Sequence, residues 1–311
     1  MIRFVKHEDI DQEKWNQAVK NARFSTLFAQ YKVLDALTCP DTWHALIEDD
    51  YLTVMPLPER SKLGISYLYT PFFMPQMGIF SPKHLTSVDT HAFLDSIPKK
   101  YVQADLILNR DNDSADATAK LVSHALDLQK PYQSLRAQFS QNTVRNIRDA
   151  ERQDTVITFG EPIIEETIRL FRENRGQDVA VHFQGRDYER LVSVARLLDD
   201  AGALRSVSTR TAEGVLIAGA LFVLDGDRLW FWFSGRDNRY ASHKPLFILM
   251  DAVIRQFSEQ PLTLDFNGSV NPNVARMYQS FGGEAYPIPL VTLSRVPCLK
   301  KMAQLVRKLR K

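Results

Sequence analysis

The sequence predicts an α/β (α+β) fold of two tandem domains, each with a mixed, mainly antiparallel sheet flanked by helices. Two observations predict it. First, three short β-type runs joined by polar turns occur twice, at 43–70 and at 204–233, as is typical of an antiparallel meander. Second, each set follows a strand and one or two helices and precedes a helix and a strand. No residue-level repeat accompanies this order, so the predicted duplication is architectural.

The first half is predicted from local patterns. Residues 11–22 indicate a helix because Trp15, Ala18 and Val19 recur on one face. Residues 71–80 are apolar but contain two prolines and a glycine, which predicts a buried irregular segment. The predicted elements are a strand at 2–5, helices at 11–22 and 29–37, strands at 43–48, 51–58 and 65–70, a helix at 90–97, and strands at 104–108 and 121–128.

The second half is predicted in the same way. Residues 229–233 are too few and too aromatic for a surface helix and indicate a buried strand. Ser242 is predicted to cap a helix with Pro245 in its first turn. The predicted elements are a helix at 135–152, a strand at 155–159, helices at 163–174 and 188–198, strands at 204–209, 215–224 and 229–233, the helix after Ser242, a strand at 262–266, a helix from the Asn271 cap through Tyr278 to the paired glycines Gly282 and Gly283, and a strand at 285–293.

The net formal charge of +2 conceals an asymmetry. Seven basic residues and no acidic one lie between Arg295 and Lys311, so the rest of the chain is mildly acidic. We expect domains at 1–130 and 131–296, followed by a basic amphipathic tail at 297–311. Such a tail is typical of a helix that docks on an anionic membrane surface, or of a terminal helix packed on the first domain with a frayed basic end.

Composition indicates an ordinary globular protein, since the 311 residues are 44% hydrophobic and 24% charged. Cys39 and Cys298 lack the spacing of a metal or redox motif, and His182 and His243 are isolated, so no metal site is expected. The N-terminus lacks the apolar core of a signal peptide, and no stretch approaches about 18 apolar residues. These features predict a cytoplasmic protein, peripheral to the inner face of the membrane at most.

The stretch 228–283 is predicted to carry the functional site. It alternates strand, helix, strand and helix, and its polar residues fall in the loops after Phe233 and after Phe266. Ligands of α/β units usually bind beyond the carboxyl ends of the strands. These two loops are therefore the candidate positions.

Several phrases, taken in order, resemble one known family. They are FSQNTVRNIRDA at 139–150, FSGR at 233–236, DFNGS at 265–269, YQSFGG at 278–283 and, in the first half, PLP at 56–58 with residues 67–80. With the order of the elements, they are similar to the FemABX-type peptidoglycan aminoacyltransferases and the FemAB-like (BioF2-like) acyltransferases, which have two tandem GNAT domains. The resemblance covers most of the chain up to Val296, and the order of the motifs carries it.

This resemblance implies an enzyme that moves an acyl or aminoacyl group to an amine of a cell-envelope precursor or related metabolite. The donor would be acyl-CoA or aminoacyl-tRNA, with no tightly bound cofactor, and the acceptor would be nucleotide- or lipid-linked and held by the first domain. The loop from Gly235 to Lys244 departs from the Arg/Gln-x-x-Gly-x-Gly/Ala loop of CoA-dependent members, because its only glycine is the first residue. Two alternatives stay open: a CoA-dependent N-acetyltransferase of a small molecule, and a catalytically silent scaffold that its basic tail recruits to the membrane.

The loop after Phe233 is the candidate donor site. Free amides at a helix start and cationic side chains favour a phosphate. The alternative is a cationic surface loop without a ligand. The candidate residues are Ser234, Gly235, Arg236, Arg239 and Lys244.

The candidate catalytic residues lie after the next strand. Asp265 could accept the proton of the substrate amine, with Asn267 as its hydrogen-bond partner, or the pair could only shape the turn. Tyr278 could donate a proton to a leaving thiol or alcohol, or it could be a core residue. Direct attack of the amine is expected, because neither cysteine falls in the candidate site.

A further set of residues is a candidate for substrate binding. Arg145, Arg148 and Arg152 recur at i, i+3 and i+7 and could meet the phosphates of a nucleotide-linked substrate or tRNA, or form a solvated face. Acceptor-site candidates that rest on the resemblance alone are Tyr31, Lys32, Tyr67 and Gln76.

Overall fold

The structure is a computed structural model that describes residues 1–62, 64–178, 183–267 and 272–295. Packing divides the chain into two units. The first contains Met1–Leu121 and the chain from Pro287 onward, and the second contains Val122–Tyr286. The predicted domain limits stay a prediction. The predicted features that lie outside the described residues are His182, the Gly268-Ser269 phrase, the Asn271 cap, Cys298 and the tail at 297–311.

Strands and helices alternate along the chain. The first half contains β1 Ile2–Val5, α1 Gln12–Asn21, α2 Tyr31–Thr38, β2 Thr42–Glu48, β3 Thr53–Lys62, β4 Ile65–Tyr69, α3 Ser87–Asp95 and β5 Gln103–Ile107. The second half contains β6 Ala119–Asp127, α4 Tyr132–Arg136, α5 Gln141–Glu151, β7 Val156–Phe159, α6 Ile164–Glu173, α7 Gly185–Asp200, β8 Leu204–Arg210, β9 Leu216–Asp225, β10 Arg228–Arg236, α8 Pro245–Phe257, β11 Thr263–Asp265, α9 Pro272–Ser280 and β12 Glu284–Ser294. None of the described helices has the length and apolarity that a membrane span requires.

The sheet of the first unit contains the predicted meander. β1, β2, β3 and β4 are successive antiparallel neighbours. β5 pairs in parallel with β4 and antiparallel with β12. Residues 74–80 are buried beside these strands and form one bridge, between Val54 and Phe80. The irregular buried segment is therefore confirmed, because its prolines interrupt regular strand pairing.

The helix predicted at 11–22 is confirmed as α1. Asp11 caps it, since its carboxylate accepts hydrogen bonds from the backbone N–H groups of Glu13 and Lys14. Trp15 and Val19 are fully buried, and the Trp15 ring lies 4.8 Å from that of Trp43 on β2. The amphipathic pattern of the helix therefore fixes which face meets the sheet.

The sheet of the second unit has the order β6-β11-β10-β9-β8-β7. β7, β8, β9 and β10 are successive antiparallel neighbours. β11 is parallel to β10 and antiparallel to β6. The mixed, mainly antiparallel sheet is the one predicted, so the α/β fold class is confirmed.

The helix predicted at 135–152 is wrong in one respect, because two helices, α4 and α5, occupy this stretch. Ser140 separates them and caps α5, since its Oγ accepts a hydrogen bond from the Thr143 N–H at 3.2 Å. The Ser140 N–H donates to the carbonyl of Ser280 at 2.9 Å. A helix could not continue through Ser140, because this backbone donor is engaged by a residue far along the chain.

Candidate functional site

β10 and β11 are paired over three residues only. Arg228, Leu229 and Trp230 lie opposite Thr263, Leu264 and Asp265. Beyond this point β10 continues to Arg236, whereas β11 ends at Asp265, and the pairing of β10 with β9 shifts register between Phe231 and Phe233. Such a bulge increases the local bend of a strand. The second part of β10 is therefore free to form the wall of a cavity.

A cavity of about 390 Å³ lies against this part of β10. Its walls come from β10, from Phe171 on α6, from Arg175 just after α6, from Leu246 at the start of α8 and from α9. Most of the lining is apolar, with arginines as its charged groups. The sequence-predicted residues that the cavity brings together are Ser234, Gly235, Arg236 and Tyr278.

The first turn of α8 contributes to this cavity through Leu246. The helix starts at Pro245, and its cap is Lys244, whose φ of 49° and ψ of 42° are left-handed. The predicted Ser242 cap is wrong, because Ser242 lies within the short 3-10 helix Asn238–His243. The positive end of the α8 dipole nevertheless lies at the cavity, which suits an anionic ligand.

Gly235 sits where α6 crosses β10. A Cβ at this position would lie 2.2 Å from the carbonyl oxygen of Thr167 and 2.6 Å from the backbone nitrogen of Phe171. Both are backbone atoms of α6 that cannot move aside. Gly235 therefore lets the helix approach the strand, in addition to lining the cavity.

The two predicted arginines of this loop differ in their surroundings. The Arg239 guanidinium donates to both carboxylate oxygens of Asp237, at 2.6 to 3.1 Å. These hydrogen bonds lower the pKa of Asp237 below its usual value. Arg236 instead lines the cavity with an exposed side chain. Arg236 is therefore better placed than Arg239 to meet a ligand.

Asp265 is fully buried at the end of β11. Its carboxylate accepts hydrogen bonds from Arg228 at 2.6 Å, Tyr286 at 2.5 Å and Ser123 at 3.1 Å. The backbone N–H of Asn267 donates a fourth at 2.9 Å, with Asn267 itself at a φ of 58°. With its oxygens engaged inside the protein, Asp265 fits a structural role better than the predicted role of base.

Tyr278 is buried on α9 and lines the cavity. Its ring stacks on Phe266 at 4.9 Å and meets the Phe231 ring edge-on at 6.1 Å. Burial, together with the negative charge of Asp265, raises the pKa of the Tyr278 phenol well above its usual value. The phenol therefore keeps its proton at neutral pH and is available as a donor.

His124 on β6 is a neighbour of Tyr278 that the sequence did not single out. Its ring centroid lies 6.2 Å from that of Tyr278, and only 1% of the residue is exposed. Neither ring nitrogen has a hydrogen-bond partner within the described parts of the chain. Burial lowers the pKa of the imidazole, against the opposing effect of Asp265. No local pattern marks this residue, because it lies in an ordinary strand.

The arginines of α5 lie at a different place in the second unit. Arg145 and Arg148 are exposed and line a surface cleft of about 530 Å³ together with Arg152. The predicted helical face is therefore confirmed as a row of cations along one cleft. Its role in binding stays a prediction.

The acceptor-site candidates of the first unit are separated in the structure. Tyr31 is half-buried on α2 with its ring 5.1 Å from that of His7, and the neighbouring Lys32 is exposed. Tyr67 is half-buried on β4. Gln76 is buried, and its Oε1 accepts a hydrogen bond from the Arg110 N–H at 2.9 Å. This bond holds the loop at 71–80 and leaves Gln76 little surface for a ligand.

A cavity of about 340 Å³ in the first unit is lined by residues that the sequence did not single out. They include Arg23, His84, Arg110, Asp111 and Lys120. Arg23 and Asp111 lie 3.7 Å apart. These residues come from three loops and from β6, so only the folded chain assembles them.

Comparisons with known proteins show one matching domain family and several similar solved structures. Residues 137–278, which contain the cavity wall from Phe171 to Tyr278, match the family described as acetyltransferase (GNAT) domain. The crystal structure of FemX is 13% identical and covers 90% of this chain and 95% of its own, with a TM-score of 0.64. L-PGS from Bacillus licheniformis is 12% identical and covers 96% of each chain, with a TM-score of 0.56. No curated protein matches the sequence. At these identities the structural likeness shows a common fold.

Proposed function

The chain has the tandem GNAT fold and contains a GNAT acetyltransferase domain, and from this premise we propose that it transfers an acyl group from an acyl-CoA thioester to an amine. The observation that carries the proposal is the cavity of about 390 Å³ against the second part of β10. Its apolar walls suit a flexible thioester arm, and its charged groups suit phosphates. Tyr278 adds a proton donor to the same cavity.

The diphosphate of CoA would bind at the start of α8. Lys244 caps this helix, and Arg236 lines the cavity beside it. The helix dipole and the two cations favour the same anion. The Gly-x-Gly loop is not needed for this, because the left-handed Lys244 provides the turn into the helix.

In the reaction, the uncharged amine attacks the thioester carbonyl carbon. A C–N bond forms, the C–S bond breaks, and the thiolate leaves with the electron pair of that bond. The Tyr278 phenol protonates the thiolate, and the proton lost by the amine returns through solvent to the tyrosinate. Burial raises the pKa of Tyr278, so the phenol is still protonated at neutral pH when charge develops on sulfur.

The acceptor is an amine-bearing cell-envelope precursor or a lipid. This finer statement is supported by the resemblance of the sequence phrases and by the fold shared with FemX and L-PGS. The aminoacyl-tRNA donor that the same resemblance implies has no comparable support, because the matched domain family is one of acetyltransferases. Acyl-CoA is therefore the donor to test.

Calorimetric titration with acetyl-CoA and with longer acyl-CoAs tests the proposal. We expect Arg236→Gln/Lys244→Gln to weaken binding at least about tenfold, since charged hydrogen bonds are lost. Arg186→Gln/Arg196→Gln is the matched control, because it removes the same charge from exposed positions of α7. The absence of acyl-CoA binding, or an equal loss in the control, would exclude this donor site.

A further inference from the structure

One face of α5 carries a row of cations that the donor site does not use. Thr143, Asn146, Ile147 and Ala150 are buried, whereas Arg145, Arg148 and Arg152 point to the other side and are exposed. At 1.5 Å per residue, the row from Arg145 to Arg152 spans about 10 Å. This length corresponds to one or two phosphate groups with their substituents.

The row lies in a cleft and not on a flat surface. The cleft of about 530 Å³ is lined by the three arginines, by Asp149 and by Gln141, with Phe139 and Val144 as its apolar part. Three guanidinium groups face one carboxylate there, so the cleft carries excess positive charge. An apolar wall beside cations fits a ligand with both an anionic and an uncharged portion.

The guanidinium groups keep free donors. Arg145 donates one hydrogen bond to Asn142 Oδ1 at 2.7 Å, and this bond orients the Arg145 guanidinium group. Arg152 and Asp149 lie 3.5 Å apart, with 76% and 40% of their side chains exposed. Arg148 makes no ion pair or hydrogen bond with any described residue. Since a guanidinium has five N–H donors, most of those in the cleft are open to a ligand.

The helix that carries the row is held firmly. Ser140 caps it, and the Thr143 hydroxyl donates to Ser280 Oγ at 2.7 Å. Ile147 is fully buried in the core of the second unit, beside residues of α8. A fixed backbone reduces the entropy lost when the arginines order around a ligand.

From this arrangement we propose that the α5 cleft is a second ligand site, which binds the phosphate or diphosphate group of an organic ligand. The planar guanidinium of arginine can donate two parallel hydrogen bonds to two oxygens of a phosphate. Several arginines together therefore favour a phosphate over a single carboxylate. RNA is disfavoured, because the affinity of a nucleic acid is built from many phosphate contacts and this short row offers few. The cleft lies apart from the residues proposed for CoA, so it is available while the donor is bound.

The test is a titration with three probes, which are inorganic pyrophosphate, ADP, and vesicles of equal parts phosphatidylcholine and phosphatidylglycerol. Transfer RNA is titrated beside them as the competing class of ligand, and every titration is made with and without acetyl-CoA. We expect Arg145→Gln/Arg148→Gln to weaken binding of at least one probe about tenfold or more, and high salt to weaken it further. Selective loss with pyrophosphate and ADP identifies a soluble ligand. Selective loss with the vesicles identifies a phospholipid headgroup.

Two variants separate this site from the donor site. Arg186→Gln/Arg196→Gln, with the same change of charge, should bind all three probes as the wild type does. Arg236→Gln/Lys244→Gln should lose its affinity for acyl-CoA and bind the three probes as the wild type does. The affinities for the probes test the α5 cleft even if acyl-CoA does not bind at all. The proposal is overturned if no probe binds, if the control loses binding equally, if only the Arg236→Gln/Lys244→Gln variant loses it, or if transfer RNA alone binds.

Discussion

The carboxylate of Asp265 and the guanidinium of Arg228 form an ion pair of 2.6 Å in the interior of the second unit, with 0% and 5% of their side chains exposed. The pair joins β10 and β11 over the three residues for which these strands run side by side. The cavity wall begins immediately afterwards, at Phe231. The ion pair therefore links the first paired residue of β10 to the last paired residue of β11.

Asp265→Asn should destabilise the second unit by about 3 kcal/mol or more, because Arg228 is left as a buried unpaired charge. The measurement is urea unfolding followed by tryptophan fluorescence, to which Trp230 and Trp232 contribute from the second unit. Glu173→Gln, which breaks an exposed ion pair with Arg169, is the control and should change stability by less than about 0.5 kcal/mol. If Asp265→Asn is as stable as the wild type and binds the donor but has lost turnover, the structural role is wrong and Asp265 acts as the base.

Gly235→Ala should destabilise the protein by about 3 kcal/mol or more, because its Cβ would overlap backbone atoms of α6. Gly219→Ala should also destabilise it, but there the overlap is with the Thr167 hydroxyl, at 2.2 Å. Thr167→Ala should therefore rescue Gly219→Ala in part and leave Gly235→Ala unrescued. Thermal melts of the four variants measure this.

Gly185→Ala is the matched glycine control, since a Cβ there meets no atom within 4 Å. It lies at the start of α7 and should be neutral or slightly stabilising. Equal melting temperatures for Gly235→Ala and Gly185→Ala would show that α6 does not pack on β10 as described.

Tyr278→Phe should lower kcat about a hundredfold and leave the affinity for acyl-CoA unchanged, because only the proton donor is removed. Burial raises the pKa of Tyr278. The wild type should therefore keep its activity up to about pH 10, the usual phenol pKa, and lose it only above that value. Steady-state kinetics across pH measure both effects. A kcat for Tyr278→Phe within about twofold of the wild type would remove Tyr278 from the chemistry.

The second unit should lose stability as the pH falls below about 6.5, in part through His124. Burial lowers the pKa of the folded imidazole, so the unfolded chain binds a proton that the folded chain does not. This single group contributes a slope of at most about 1.4 kcal/mol per pH unit. His124→Phe should reduce the slope and, by removing two unpartnered nitrogens, raise stability at neutral pH. Urea unfolding at several pH values measures it, and an unchanged slope would contradict the assignment.

The order of strands and helices could be predicted because each depends on neighbours in the chain. Short β-type runs joined by polar turns placed the strands from β2 to β4, and the spacing of Trp15 and Val19 placed α1. One error falls where a distant residue decides, and the other falls where a short 3-10 helix takes up the predicted cap. The helix predicted at 135–152 is broken because Ser280 binds the Ser140 N–H, and the Ser242 cap is replaced by Lys244.

Part of the candidate site was predicted as well. The loops after two neighbouring strands were expected to carry it. Ser234, Gly235 and Arg236 belong instead to the end of β10, and Tyr278 belongs to α9, but these four residues do line one cavity. Sequence patterns did not indicate Phe171 on α6 and Arg175 just after it, which line the cavity. They could not, because nothing near α6 in the chain shows that it crosses β10 at a glycine.

The sequence by itself determined the α/β class, the order of elements, the buried aromatic strand and the cationic face of α5. These follow from periodicity, caps and turns, which act over a few residues. Only the tertiary structure decided that Arg228 holds Asp265, that Gly235 faces the backbone of α6, and that His124 lies beside Tyr278 without a described hydrogen-bond partner. Such relationships join residues far apart in the chain, and burial and close packing, which set their energies, exist only once the chain has folded.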